Sequence, residues 1–143
     1  MKKITLILVI FLTLINANYL ERKLVTTLES WSEAINQRDF EALSILYAPV
    51  VIYYGKVTPK WKCIQDKKRA LRKRPFFHQE IDDVSYGHIR DSIYKVGFTK
   101  YVRYTKHGKI KTYPSYLYID LSSVIPKIVV ESDRVTDINL LYK

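Results

Sequence analysis

The sequence predicts an α+β domain, with three N-terminal helices packed on one face of a curved antiparallel sheet. Three observations predict it. Leu20, Leu24, Leu28, Trp31 and Ile35 recur at three- and four-residue spacing, the period of an amphipathic helix. From Val84 onward the period shortens to two, as in half-buried strands. The strand stretches are separated by short turn signals, Lys106-His107-Gly108-Lys109 and Ser122 to Pro126, as in an antiparallel meander. Helices followed by strands is the order of an α+β fold.

The first helix has Glu21, Arg22, Lys23, Glu29 and Glu33 between its apolar positions, giving about five amphipathic turns. Asn36-Gln37-Arg38 breaks it. Asp39 can accept backbone hydrogen bonds at the start of a second, short helix carrying Phe40, Leu43, Leu46 and Tyr47. Pro49 ends that helix, and Val50 to Tyr54 reads as a strand stopped by Gly55. Val57 to Lys62 reads as a loop. Asp66 then precedes a third helix, Lys67 to Arg74, closed by Pro75. Tyr94, Val96, Phe98, Val102 and Tyr104 alternate with Lys95, Gly97, Thr99, Tyr101 and Arg103. Ile110 to Leu121 is the expected partner strand, and Lys127 to Asp137 the last one.

The chain opens with Lys2-Lys3, then a 12-residue apolar stretch from Ile4 to Ile15 broken only by Thr5 and Thr13, then Ile15-Asn16-Ala17. A basic start, a short hydrophobic region and a small residue at the cut have the form of a secretory signal. The stretch falls short of the roughly 20 apolar residues a membrane helix needs. Residues 1–17 are therefore expected to be a signal peptide and 18–143 the single domain, exported to a periplasm or beyond a bacterial cell, with no transmembrane anchor after cleavage. Export removes nuclear, ribosomal and ATP-fuelled roles. No internal repeat or low-complexity segment interrupts the domain.

A formal charge of +10 favours acidic partners. For an exported protein these are anionic glycan, lipid headgroups or a small acidic ligand, and not nucleic acid. Cys63 is the one cysteine and cannot form an internal disulfide, so the core alone must stabilise the domain. Its setting, Trp61-Lys62-Cys63-Ile64, is that of a small packing residue.

The segment from Trp31 to Gly55 resembles the opening of the nuclear-transport-factor-2-like superfamily. The shared features are an aromatic residue and an alanine on helix one (Trp31, Ala34), Asn36 and Asp39 at the helix break, and Leu43-Ser-Ile-Leu46-Tyr47-Ala48 leading into the first strand. Lys127-Ile-Val-Val-Glu-Ser-Asp133 is similar to the closing strand, with Pro126 where the family has tryptophan. The resemblance spans nearly all of residues 20–141 and implies an α+β cone whose mouth can hold a small molecule. That scaffold hosts enzymes, binders and adaptors. It also implies pocket positions at Trp31, Tyr54, Arg103 and Tyr116. The isomerase pattern of the family does not carry over: its catalytic positions fall on Trp31, on Tyr54-Gly55 and near Ser115-Tyr116, and none supplies a carboxylate.

His78, Glu131 and Asp133 remain as candidate acid–base groups, with Glu131 and Asp133 on one strand face because they are two apart. The resemblance implies a structural Glu131, and Arg103 is its expected partner. His78, His88 and His107 lack metal-site spacing, and no Walker loop, nucleophile elbow or dinucleotide fingerprint occurs. No metal and no cofactor are expected. Six cations stand within eight residues from Lys67 to Arg74, and Lys68, Arg72 and Lys73 are the candidates for an anionic surface. The expected function is non-catalytic binding of a small or glycan-like acidic ligand, or of an envelope protein. The alternatives are an enzyme with a pocket acid–base pair, and an adaptor or immunity-type protein acting through its sheet face as a homodimer.

Overall fold

The computed structural model describes residues 2–141, with side chains described from Thr13 onward. In chain order the elements are α1 (Lys2–Gln37), α2 (Phe40–Leu46), β1 (Tyr47–Tyr53), β2 (Lys56–Pro59), α3 (Lys60–Arg72), β3 (His78–Arg90), β4 (Ile93–Arg103), β5 (Lys111–Asp120), β6 (Lys127–Asp133) and α4 (Arg134–Leu141). The α+β architecture expected from the sequence is present. The six strands form one open sheet in the order β2-β1-β6-β5-β4-β3, with β1 and β6 parallel and every other neighbouring pair antiparallel. The sheet is therefore mixed, not wholly antiparallel. The reason is that the first strand and the last, laid down far apart along the chain, meet as neighbours within it.

Helix α1 packs its buried stripe of Leu24, Leu28, Trp31 and Ile35 onto the inner sheet face, where the Trp31 ring meets Phe98 edge-on at 5.6 Å. Asn36 and Asp39 mark the helix break for separate reasons. Asn36 exchanges two hydrogen bonds with the backbone of Gln79, 2.8 and 2.9 Å long, tying β3 to the end of α1. Asp39 accepts from the Ala42 amide at 3.0 Å and caps α2.

Several boundaries differ from the sequence expectation. Helix α2 ends at Leu46 and β1 begins at Tyr47, so Pro49 lies inside the strand and does not end the helix. The segment read as a loop from Val57 folds back as β2, because Tyr54 and Gly55 both adopt positive φ (48° and 78°) and close a two-residue hairpin. Helix α3 starts at Lys60, directly after Pro59, so Asp66 lies inside it and not before it. Strand β3 begins at His78, well before Val84, held by the Asn36 bridge. The last strand ends at Asp133, whose carboxylate accepts from the Thr136 amide at 2.7 Å and starts α4. Helix α4 lies on the outer sheet face, where Asp137 accepts from Tyr116 on β5 and Ser132 on β6, both at 2.8 Å.

Candidate functional site: a cationic cavity on the inner sheet face

A cavity of about 340 Å³ opens between α1, α3 and the inner face of the sheet. Strand alternation decides what reaches it. Glu131 pairs with Leu117 and Asp133 with Ser115, so both carboxylates share the inward side of β6. On β4 the inward set runs Val96, Phe98, Lys100 and Val102, continued by Tyr104, and Lys100 and Tyr104 line the cavity. On α3, Cys63, Lys67 and Leu71 recur every fourth residue. That face puts Lys67 into the cavity and leaves Cys63 buried.

At the floor, Glu131 is 2% exposed and both its carboxylate oxygens are engaged. Oε2 accepts from the Tyr47 hydroxyl. Oε1 accepts from Lys67 Nζ at 2.5 Å and from the Tyr54 hydroxyl at 3.4 Å. Trp31 Nε1 in turn donates to the Tyr47 hydroxyl at 3.2 Å, which completes a buried chain from α1 to β6. Burial opposes the charge on Lys67, but the facing Glu131 carboxylate and the phenols around it outweigh that and hold the ammonium well above its usual pKa. Tyr47 and Tyr54 are pushed well above theirs, by burial first and Glu131 second. Burial lifts Tyr53 to about 12. These phenols keep their protons.

Nearer the mouth the charge balance changes. The Tyr104 and Tyr113 hydroxyls hydrogen-bond to each other at 3.1 Å. Three cations gather on this pair: Arg74, its guanidinium carbon 4.1 Å from the Tyr104 ring centre; Lys111, 5.6 Å from the same ring; and Lys100, 5.9 Å from the Tyr113 ring. Among the described residues none of the three has a carboxylate within ion-pair distance. Burial, reinforced by the like charge of Lys67, pulls the Lys100 amine below its usual value. Arg74 is positioned by Arg38, which itself has φ 57° and donates to the Arg74 and Pro75 carbonyl oxygens at 3.2 and 3.0 Å.

Of the residues expected in the pocket, Trp31, Tyr54 and Asp133 line it and Glu131 lies at its floor. Arg103 and Tyr116 do not. Both fall in the outward phase of their strands, Arg103 exposed at the end of β4 and Tyr116 bound to α4. The expected Arg103–Glu131 pair is replaced by Lys67–Glu131. His78 is exposed beside Glu80 at 3.8 Å, outside the cavity. Lys68 and Arg72 lie on the outer side of α3 with Trp61 and Arg69, and Lys73 is exposed at the helix end. The sequence reading missed Lys67, Arg74, Lys100, Tyr104, Tyr113 and the bond of Tyr47. The periodicity carried a signal for two of them: Lys100 stands in phase with Phe98 and Val102, and Lys67 with Cys63 and Leu71. Among the described residues no group of three or more His, Cys, Asp or Glu gathers to hold a metal.

No family profile matches the sequence, and no curated protein matches it. Solved structures do. The chain superposes on a putative dehydratase from the NTF2-like family of Streptomyces avermitilis with a TM-score of 0.67 at 12% identity, over 81% of this chain and 95% of that one. The chain has the NTF2-like fold. Aln2 from another Streptomyces strain shares this fold with a TM-score of 0.71 at 10% identity, covering 87% of this chain and 96% of that one. Bd1075 of Bdellovibrio bacteriovorus matches with a TM-score of 0.65 at 18% identity, over 78% of this chain. There the match takes up 39% of a longer protein. Identities this low carry the fold and leave the chemistry to the cavity itself.

Proposed function

We propose that this chain is an exported NTF2-like domain that binds a small or glycan-like acidic ligand in its inner cavity without turning it over. One observation carries the reading: Arg74, Lys100 and Lys111 converge on the Tyr104–Tyr113 pair with no carboxylate partner among the described residues. Cations gathered with no carboxylate in ion-pair contact repel one another, and an incoming carboxylate relieves that repulsion while accepting hydrogen bonds from the phenols. Trp31, Leu71 and Phe77 supply apolar wall for the body of such a ligand.

The enzyme alternative is the weaker reading. A general base needs a free lone pair facing the substrate, and Glu131 has both oxygens occupied. His78 lies outside the cavity, and Asp133, which lines it, spends one carboxylate oxygen on the Thr136 amide at the start of α4. The sheet-face dimer would have to form around α4, which already covers part of the outer face. Export is compatible with the packing: Leu14, Ile15 and Tyr19 are half or more exposed, and the buried stripe of α1 begins at Leu24, beyond a cut after Ala17. Among the described residues no helix is long and apolar enough to cross a membrane.

The test is titration with benzoate, a carboxylate on an apolar ring, followed by chemical-shift mapping. Shifts confined to β4, β5 and the end of α3, weakening as salt is added, support the reading. Binding that ignores salt, or shifts elsewhere, sink it.

A further inference from the structure

An anion site needs its cations charged, yet Lys100 is the cavity cation least suited to stay so. It lines the cavity from β4 and has no ion pair among the described residues. It shares that space with Lys67, whose own charge is fixed by Glu131. Apolar wall from Leu71 and Val102 limits its hydration. We propose that the Lys100 amine captures the carbonyl group of a small acidic ligand, such as a 2-oxo acid, as an imine. The proposal rests on the anion-binding reading for the class of ligand: Arg74 and Lys111 hold the carboxylate, and Lys100 meets the carbonyl beside it.

The arrangement meets the requirements of that bond. A lysine is nucleophilic only as the free amine. Desolvation and a neighbouring cation are the two means by which proteins favour that form, and both act on Lys100. The nitrogen lone pair attacks the carbonyl carbon and gives a carbinolamine. The former carbonyl oxygen then leaves as water with both amine protons, leaving a carbon–nitrogen double bond. Water and the imine account for every atom, and no oxidant or reductant takes part. The product keeps the ligand carboxylate, so Arg74 and Lys111 retain their partner throughout. The Glu131 oxygens are occupied and one Asp133 oxygen accepts from the Thr136 amide; adding water back to the imine regenerates the amine and the carbonyl, so the bond is one of reversible capture.

Reductive trapping tests this on the full chain without any variant. The protein is incubated with pyruvate and cyanoborohydride at about pH 7, where ordinary lysines are almost wholly protonated, and the modified lysines are located by peptide mass mapping. The expected result is adduct on Lys100 forming several-fold faster than on exposed lysines such as Lys106, and suppressed by excess benzoate. Labelling of Lys100 at or below the rate of Lys106, with benzoate still binding, overturns the capture proposal and leaves the anion site standing. Failure of both labelling and benzoate binding overturns the two together. Lys100→Arg, which removes the nucleophilic amine, is expected to lose the adduct; an unchanged adduct mass on that variant assigns the reaction to another lysine and overturns the proposal.

Discussion

Lys67 Nζ lies 2.5 Å from Glu131 Oε1, joining the middle of α3 to β6 in the interior of the sheet beneath the cavity. The Glu131 side chain is 2% exposed and that of Lys67 11%, and the other Glu131 oxygen is held by Tyr47, so water screens this pair far less than a surface ion pair. Its effect on stability is therefore asymmetric. Keeping both charges is about neutral against a pair of apolar side chains, whereas removing one strands the other.

Glu131→Gln is expected to destabilise the domain by roughly 3–5 kcal/mol, because the Lys67 ammonium is left buried without its counter-charge. Lys67→Met combined with Glu131→Gln should recover a large part of that loss. Urea midpoints of the two variants check it; a double variant no more stable than Glu131→Gln alone would show that the pair is not coupled.

Arg74 and Arg103 give opposite expectations. Arg74→Gln removes a cation from the mouth cluster and should weaken benzoate binding about tenfold or more, the scale of one hydrogen bond to a charged group. Arg103→Gln changes an exposed residue on the outer side of β4 and should leave binding unchanged. Calorimetric titration of both variants decides between them.

Alkaline pH should destabilise the fold. The Lys67, Tyr47 and Tyr54 protons are all held more tightly folded than unfolded, and Tyr53 is lifted to about 12. A raised folded pKa contributes stability that is complete below the unfolded value, about 10 for both residue types, and is lost as pH rises through the folded value. Lys100, shifted downward, acts in the opposite sense but as a single group against four. The Cys63 thiol, raised to about 11, adds to the loss from its lower unfolded value, so denaturation midpoints are expected to hold up to about pH 9 and fall beyond it, most steeply above about pH 10; a midpoint that climbs there contradicts the assignment.

Cys63 should be inert in the native protein. It is fully buried, and burial, with Glu131 adding to it, raises its thiol to about 11. Thiol reagents are expected to react only at the rate of global unfolding, and to label fully in denaturant. Immediate native labelling would place the thiol at an accessible surface.

The outer side of α3 gives a test separate from the cavity. Trp61 is 67% exposed beside Lys68, Arg69 and Arg72. Neutralising Lys68, Arg72 and Lys73 together should abolish salt-sensitive retention on an anionic polysaccharide column while benzoate binding persists. Retention that survives the triple change assigns the contact elsewhere.

The helical and strand periods, the capping role of Asp39, the shared strand face of Glu131 and Asp133, and the family resemblance of the first and last segments were all legible in the sequence. Each is local: a repeat of three to four or of two, or a turn residue beside its own helix, is set within a few positions of chain. Which side chains meet was not legible. Arg103 was the expected partner for Glu131, and nothing local in the sequence pointed to Lys67 instead, since both are basic and far from it in sequence. The parallel pairing of β1 with β6 and the packing of α3 across them gave the place to Lys67. The same long-range packing turned part of a basic run into cavity wall, as Lys67 and Arg74, and left Lys68, Arg72 and Lys73 on the outer side. Charge alone cannot make that division, because it depends on what the rest of the chain lays against each face of the helix.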